Sequence, residues 1–151
     1  MSLDPSTIIS DDNEVDKKYS NIDFSKNYFS YEEKQYIKKQ TNYNRLRYPN
    51  HIPVIVNVNS KVISIDKRKF IVPKNLSLND FIGIVQKRLK NLQENDTLIV
   101  SVDINGVSTE INNKNIVMSE CYEKYRNEEL DLLILNVSRY TSFKWLKSFI
   151  Y

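Results

Sequence analysis

The sequence predicts an α+β fold in which a sheet packs against one long amphipathic helix. The clearest helical stripe follows Ser77, a good N-cap residue, and consists of Leu78, Phe81, Ile84, Val85 and Leu89. Runs rich in β-branched residues, which are typical of strands, lie on both sides of it at 52–58, 70–72 and 97–102, and a largely apolar run follows at 130–137. Strands separated by one long helix indicate an α+β architecture.

The chain begins with a polar, acidic stretch at 1–27 that has no hydrophobic period, which is typical of a disordered leader that buries little. A charged helix is predicted over 29–47, with Ser30 as its N-cap and Pro49 as its stop. The apolar face of this helix is thin, so we expect it to dock on a larger body.

The strand at 52–58 is extended or restarted by Val62, Ile63 and Ile65. Pro73 ends the strand at 70–72 and, because proline has no N–H to donate, favours an edge position. Asn105-Gly106 predicts a hairpin turn. Leu130–Val137 is almost wholly apolar, as expected of a central strand buried on both faces. A short helix is predicted from Met118, Cys121, Tyr122 and Tyr125.

Length and composition indicate one modest domain: 151 residues, 40% of them hydrophobic, with no apolar run long enough to cross a membrane. The net charge of +3 is unevenly spread, because residues 1–16 hold five acids and no lysine or arginine. The remaining residues carry 22 basic and 14 acidic side chains. Such a basic body suits an acidic peptide, a lipid surface or nucleic acid, although an ordinary solvated surface explains the charge equally well.

Catalysis is poorly supported, because a nucleophile needs a base and the base needs an orienting group. The chain has one cysteine, Cys121, on an apolar helix face, where a buried structural thiol is expected. The one histidine, His51, lies between a turn and a strand, and we expect it to be solvated or locally hydrogen-bonded. With Gly83 and Gly106 as its two glycines, the chain offers no phosphate loop, and no residues have metal-ligand spacing. We therefore predict no enzyme, no metal and no cofactor.

Two ordered segments carry a family resemblance. The first is Tyr48-Pro49-Asn50-His51-Ile52-Pro53-Val54-Ile55, and the second is Asp66-Lys67-Arg68-Lys69-Phe70-Ile71-Val72-Pro73, followed by Asn75-Leu76-Ser77 and the helix. This order resembles the autophagy ubiquitin-like modifiers, the family of GABARAP and the microtubule-associated light-chain proteins. The resemblance implies a ubiquitin-like β-grasp with an N-terminal helical extension, over 28–143. The acidic leader at 1–27 and an aromatic-basic tail at 144–151 flank it.

The resemblance also implies a peptide-docking edge. In this family the strand matching 69–73 pairs with an extended ligand whose core is aromatic-x-x-aliphatic, and main-chain hydrogen bonds supply affinity while two pockets supply specificity. One pocket would use Pro53, Lys69 and Ile71. The other would use Phe70, Val72, Pro73, Leu76, Phe81, Ile84 and Arg88. Acidic residues flanking the ligand motif would meet Lys67, Arg68 and Lys69. Core packing and an ordinary charged surface also explain these residues.

Two departures from the family stand out. The ligand-facing aromatic that precedes the family's last strand aligns with Asp131. Family members end in an aromatic and then a glycine that is joined to phosphatidylethanolamine, whereas no glycine follows Gly106 here. We therefore predict no conventional lipidation. Interfacial aromatics and lysines occupy the tail instead, and predict weak membrane contact through Lys144, Trp145, Leu146, Lys147, Phe149 and Ile150.

Three functional hypotheses remain open. The first is an autophagy-related binding protein, monomeric and cytoplasmic or on autophagosomal membranes, that docks aromatic-x-x-aliphatic motifs of cargo receptors or autophagy machinery. The second is a membrane-surface tether that uses the tail, and the third is a nucleic-acid-binding domain. In the first, the acidic leader is either a linker or an intramolecular competitor that lies over Lys67–Lys69.

Overall fold

The computed structural model describes residues 22–24, 28–58 and 63–141. Three helices lie within these residues: α1 Tyr31–Arg47, α2 Leu78–Arg88 and α3 Met118–Tyr125. The strands are β1 His51–Val58, β2 Ser64–Ile65, β3 Lys69–Pro73, β4 Leu89–Lys90, β5 Asp96–Ile104, β6 Val107–Glu110 and β7 Leu133–Thr141.

The helix starts are capped as the sequence predicts. Ser30 Oγ accepts a hydrogen bond from the Glu33 N–H at 3.1 Å, and a Glu33 carboxylate oxygen accepts one from the Ser30 N–H at 2.9 Å. This reciprocal pair is a capping box. At α2, Ser77 Oγ accepts from the Asp80 N–H at 3.0 Å. Each cap satisfies an N–H that the helix itself leaves free, which is worth about 1 kcal/mol.

The main sheet has five strands in the order β3-β1-β7-β5-β6. Its centre is a parallel pair, β1 with β7, and its other pairings are antiparallel. The two-residue turn between β5 and β6 has positive φ at Asn105 (52°) and Gly106 (81°), as a tight hairpin of this kind requires. The sheet therefore ends in β3 on one side and β6 on the other, while β2 and β4 form a separate small pair.

Helices cover both faces of this sheet. On the first face, which we call the α2 face, Val54 and Val56 of β1 join Phe81 of α2 and Met118 of α3 in the larger core cluster, and these four side chains are at most 1% exposed. The opposite face, which we call the α1 face, buries Ile55 of β1 against a second cluster that includes Ile37 of α1. The predicted β-grasp with an N-terminal helix is confirmed.

The last strand begins later than the sequence predicts. Leu130 is buried but lies outside β7, which runs from Leu133 to Thr141 rather than over 130–137. A turn intervenes, because Asn127 holds the N–H groups of Leu130 (3.0 Å) and Asp131 (2.7 Å), and Asp131 adopts a φ of 59°. The central position of β7 between β1 and β5 is as predicted.

One other boundary also differs, and one alternative is resolved. Leu89, which the helical stripe includes, starts β4 after α2 has ended at Arg88. Of the two predicted alternatives for Ile65, a restart and an extension of β1, the structure has the restart, because Ile65 belongs to the separate short strand β2, which pairs with β4. Both residues are in strands because Ile65 pairs with Leu89. This pairing joins segments that are distant in sequence, so local periodicity does not predict it.

The expectation that residues 1–27 bury little is wrong for Ile22 and Phe24. Ile22 is 7% exposed and Phe24 is 6% exposed, and both belong to the cluster on the α1 face. The amide of Asn57, itself buried, donates a hydrogen bond to the Phe24 carbonyl oxygen at 2.7 Å. Part of the leader is therefore integral to the fold, because two apolar side chains are isolated in a polar stretch but meet a large apolar surface.

We expect Ile22→Ala to lower the free energy of unfolding by about 2 kcal/mol, since it removes a buried aliphatic side chain and leaves a cavity. Tyr28→Ala is the matched control, because Tyr28 is 76% exposed and its loss should cost less than about 0.5 kcal/mol. Urea denaturation followed by circular dichroism measures both. Equal stability of the two variants would contradict the packing of the leader.

Candidate peptide-docking edge

The site begins with β3, which is an edge strand. It pairs with β1 in an antiparallel register from His51↔Pro73 to Ile55↔Lys69, and it is the last strand of the sheet on that side. Within the described residues, no strand pairs with the outer edge of β3. An edge strand presents unpaired main-chain groups to which an extended segment can add.

The side chains of β3 divide between the two faces of the sheet. Phe70 belongs to the core cluster on the α2 face, and Val72 of the same cluster is fully buried. Lys69 and Ile71 line a cavity on the α1 face, as the alternation of a strand requires. The outer edge of β3 therefore lies between two different environments, each covered by a helix.

The cavity on the α1 face brings together the residues predicted for the first pocket. Pro53, Lys69 and Ile71 all line it, and its volume is about 40 Å³. The Lys69 ammonium lies 5.3 Å from the centre of the Tyr36 ring, a cation–π distance. Phe70, which the sequence analysis assigns to the second pocket, also lines this cavity. The lining residues that sequence reasoning missed are Phe24, Tyr36, Ile37, Gln40, Thr41, Asn44, Val54, Ile55 and Leu132.

Three of the seven residues of the predicted second pocket, Phe70, Val72 and Phe81, are buried in the core, and the other four are partly buried. Phe81 and Val72 are fully buried, and the rings of Phe70 and Phe81 meet edge-on at 5.5 Å. Arg88 places its guanidinium 5.9 Å from the centre of the Phe70 ring. The buried side chains are not accessible to a ligand. Partly buried residues, Leu76 and Pro73 among them, are the ones that a ligand could contact.

Ile84 lies apart from the rest of the predicted second pocket. It is partly buried against the core and lines a groove between α2 and the start of β5, together with Gly83, Lys87, Thr97 and Leu98. Its position on α2 follows from the helical stripe, but the stripe does not say towards which flank of the helix the side chain turns.

The basic run borders the edge strand. Lys67 and Lys69 are half-buried and Arg68 is exposed, on the segment that leads into β3. The Arg68 carbonyl oxygen accepts a hydrogen bond from the Val56 N–H at 2.8 Å, which ties this segment to β1. The three cations are thus held at the Lys69 end of the strand, where an acidic flank of a ligand would meet them.

Asp131 takes no part in the cavity, although it aligns with the family's ligand-facing aromatic. Its carboxylate accepts from Tyr122 Oη at 2.6 Å and pairs with Arg45 at 3.0 Å and Arg126 at 3.7 Å. The next residue, Leu132, lines the cavity instead. The aliphatic Leu132 therefore adds apolar surface at the place where the alignment predicts a carboxylate.

The two candidate catalytic side chains are in unreactive settings. Cys121 is fully buried, and burial raises the pKa of its thiol to about 11, which confirms the predicted structural role. The prediction that His51 is solvated or locally hydrogen-bonded is wrong. Both its ring nitrogens are buried, and neither has a hydrogen-bond partner in the described part of the chain. The ring meets Tyr48 edge-on at 5.9 Å, and burial lowers the pKa of the imidazole.

No group of three or more metal-ligating side chains occurs in the described ranges. No helix in that part of the chain is long and apolar enough to cross a membrane. The tail residues predicted to touch membrane, Lys144 to Ile150, lie outside the described residues, as do Met1–Asn21, so membrane contact and the absence of lipidation stay predictions.

Sequence comparison assigns the chain to a known family. The family model described as "Autophagy protein Atg8 ubiquitin like" matches residues 36–143, well over half of the chain. The chain belongs to the Atg8 family. The match spans most of α1, the edge strand and the whole main sheet, and it makes the chain an Atg8-like ubiquitin-like protein of autophagy.

Individual relatives support the assignment. Autophagy-related protein 8 of Schizosaccharomyces pombe is 31% identical over 96 residues, which are 61% of this chain and 74% of that protein. Autophagy-related protein 8d of Arabidopsis thaliana is 34% identical over 96 residues, 61% of this chain and 75% of the relative. A crystal structure of Trypanosoma brucei ATG8 has a TM-score of 0.61 at 23% identity and covers 82% of this chain and 99% of its own, which shows the shared fold.

The buried imidazole of His51 predicts a pH dependence of stability. Because its pKa in the folded protein is lowered from 6.5, the unfolded chain takes up the proton first as the pH falls. The free energy of unfolding is therefore unaffected by this histidine above about pH 7.5. It declines as the pH falls through the unfolded-state pKa of about 6.5, because the unfolded chain then binds the proton more readily than the folded protein. We expect the free energy of unfolding to fall between about pH 8 and pH 5.5 in the wild type. His51→Phe, which keeps an aromatic ring beside Tyr48, should show a shallower decline in urea titrations, and an unchanged slope would refute this.

Proposed function

We propose that this Atg8-family protein binds extended peptide segments with an aromatic-x-x-aliphatic core and acidic flanks, at the outer edge of β3. The observation that supports it most directly is an edge strand without a neighbouring strand in the described residues and with a helix-covered surface on each side. Such an edge adds a strand through main-chain hydrogen bonds, which supply affinity that is independent of sequence.

The spacing of the ligand motif follows from strand geometry. Successive side chains of a β-strand point to opposite faces, so two residues three apart also point to opposite faces. An aromatic directed to the α1 face would reach the cavity at Pro53, Lys69 and Ile71. The aliphatic residue three positions later would then turn to the α2 face, over the partly buried Leu76. This geometry accounts for a spacing of three and disfavours a spacing of two or four.

Charge explains the preference for acidic flanks. Lys67 and Arg68 directly precede β3, which begins at Lys69, and Arg68 is exposed. Acidic ligand residues beside them would speed association and fix the orientation of the peptide, with an effect that weakens at high salt. The peptide-docking hypothesis and the family membership favour two kinds of partner, cargo receptors and autophagy proteins. These partners would be in the cytoplasm or on autophagosomal membranes.

The first test of this function is Ile71→Asp, which places a carboxylate in the apolar cavity. A peptide with an acidic stretch before Trp-x-x-Leu should bind the wild type with micromolar-order affinity, about −7 to −8 kcal/mol. The substitution should weaken binding by about 2 kcal/mol, or roughly 30-fold, in isothermal titration calorimetry. Val107→Asp is the matched control, because Val107 is 63% exposed on β6, the opposite edge.

Ile71 is itself buried, so the fold of each variant is checked by thermal denaturation before titration. The double charge reversal Lys67→Glu with Arg68→Glu supplies a second, surface-only variant, and should reduce affinity most at low salt. An equal loss of affinity in Ile71→Asp and in the Val107→Asp control would refute the proposed docking edge.

A further inference from the structure

The polar leader delivers an aromatic side chain into the candidate docking cavity. Phe24 is 6% exposed and lines the same cavity as Pro53, Lys69 and Ile71. Its ring lies 5.6 Å from that of Phe29, centre to centre. An aromatic from the chain itself therefore forms part of the wall of the cavity that the proposed function assigns to an aromatic of the ligand.

The leader is held there by a specific polar contact. The side-chain amide of Asn57 donates to the Phe24 carbonyl oxygen at 2.7 Å and to Asn136 Oδ1 at 3.2 Å. Asn57 and Asn136 are paired in register on β1 and β7, and both are buried. A buried amide needs hydrogen-bond partners, and a strand position facing a helix seldom offers them. The Phe24 carbonyl oxygen supplies one of the hydrogen-bond partners that the Asn57 amide needs. The sheet therefore has a specific binding position for the main chain of the leader.

The volume of the cavity indicates whether a ligand ring fits beside Phe24 or only in its place. An apolar cavity that binds a benzene ring has a volume of about 150 Å³, and this one holds about 40 Å³. A ligand ring consequently does not fit while Phe24 is in place. Lys69, over the Tyr36 ring, is a long side chain that can turn aside, but Phe24 leaves only if its hydrogen bond to Asn57 breaks.

We propose that Ile22–Phe24 is an internal competitor, which occupies the aromatic pocket and must be released before a peptide can bind. This inference rests on the proposed docking function and concerns the regulation of that site. The apparent affinity for peptides is then the intrinsic affinity multiplied by the fraction of molecules whose leader is released. Any partner that captured the leader would raise the affinity of the docking edge without touching it.

The test uses the full chain with Phe24→Ala, titrated by calorimetry with the acidic Trp-x-x-Leu peptide. Removing the ring should enlarge the pocket and tighten binding at least tenfold. Asn57→Ala, which removes the amide but does not line the cavity, should also tighten binding, by a smaller factor. Tyr28→Ala, an exposed neighbour on the same segment, is the control and should leave the affinity unchanged.

An NMR measurement without peptide reports occupancy independently. The methyl signals of Ile71 should shift on Phe24→Ala and stay in place on Tyr28→Ala. Unmoved Ile71 signals would overturn the inference, since Phe24 would then not occupy that pocket. Equal or weaker peptide binding by Phe24→Ala, with Ile71→Asp still impairing the wild type, would overturn the competitor role and leave the docking function standing. If neither wild type nor Phe24→Ala binds although the Ile71 signals move, the docking function fails, and with it the regulation inferred here.

Discussion

The structure depends on the need to bury both faces of its central strands. β1 pairs with β3 on one side and with β7 on the other, and its side chains alternate between two apolar clusters. Val54 and Val56 need α2 and α3 on one face, while Ile55 needs a cover on the other. Helices cover both faces of β1, so at this side of the sheet an extended segment can pair only with the outer edge of β3, which is why β3 is the candidate binding surface.

The cover on the α1 face is thinner than that on the α2 face. α1 itself buries only Ile37 and Thr41, as expected of a helix that is charged on most sides. Ile22 and Phe24 complete this cover, and the amide of Asn57 holds them in place. A single short segment thus serves stability and, in the regulation we propose, controls access to the pocket. Stability and affinity then oppose each other, because releasing the segment exposes apolar surface.

The turn before β7 shows how one substitution in a family motif is accommodated. Asp131 sits at a φ of 59°, a conformation that short polar residues tolerate better than aromatic ones. Arg45 and Arg126 each place a guanidinium near the Tyr122 ring, at 5.1 and 5.6 Å, and both pair with the Asp131 carboxylate. This cluster joins α1, α3 and the turn, and directs the carboxylate away from the cavity. Leu132 and Phe24, and not Asp131, are among the apolar side chains that line the cavity.

Much of the fold was determined by local sequence. Ser30 and Ser77 cap their helices, Asn105-Gly106 closes a hairpin, and Pro73 ends an edge strand, because each depends on residues close in the chain. The family resemblance implied the three residues of the first pocket, Pro53, Lys69 and Ile71, and the structure brings them together. Only the tertiary structure decided that Phe24 joins them, that Leu132 replaces Asp131 in the cavity, and that Ile84 turns to the other flank of α2. These outcomes rest on contacts between segments distant in sequence, where burial against a partner surface outweighs the polar character of the local chain.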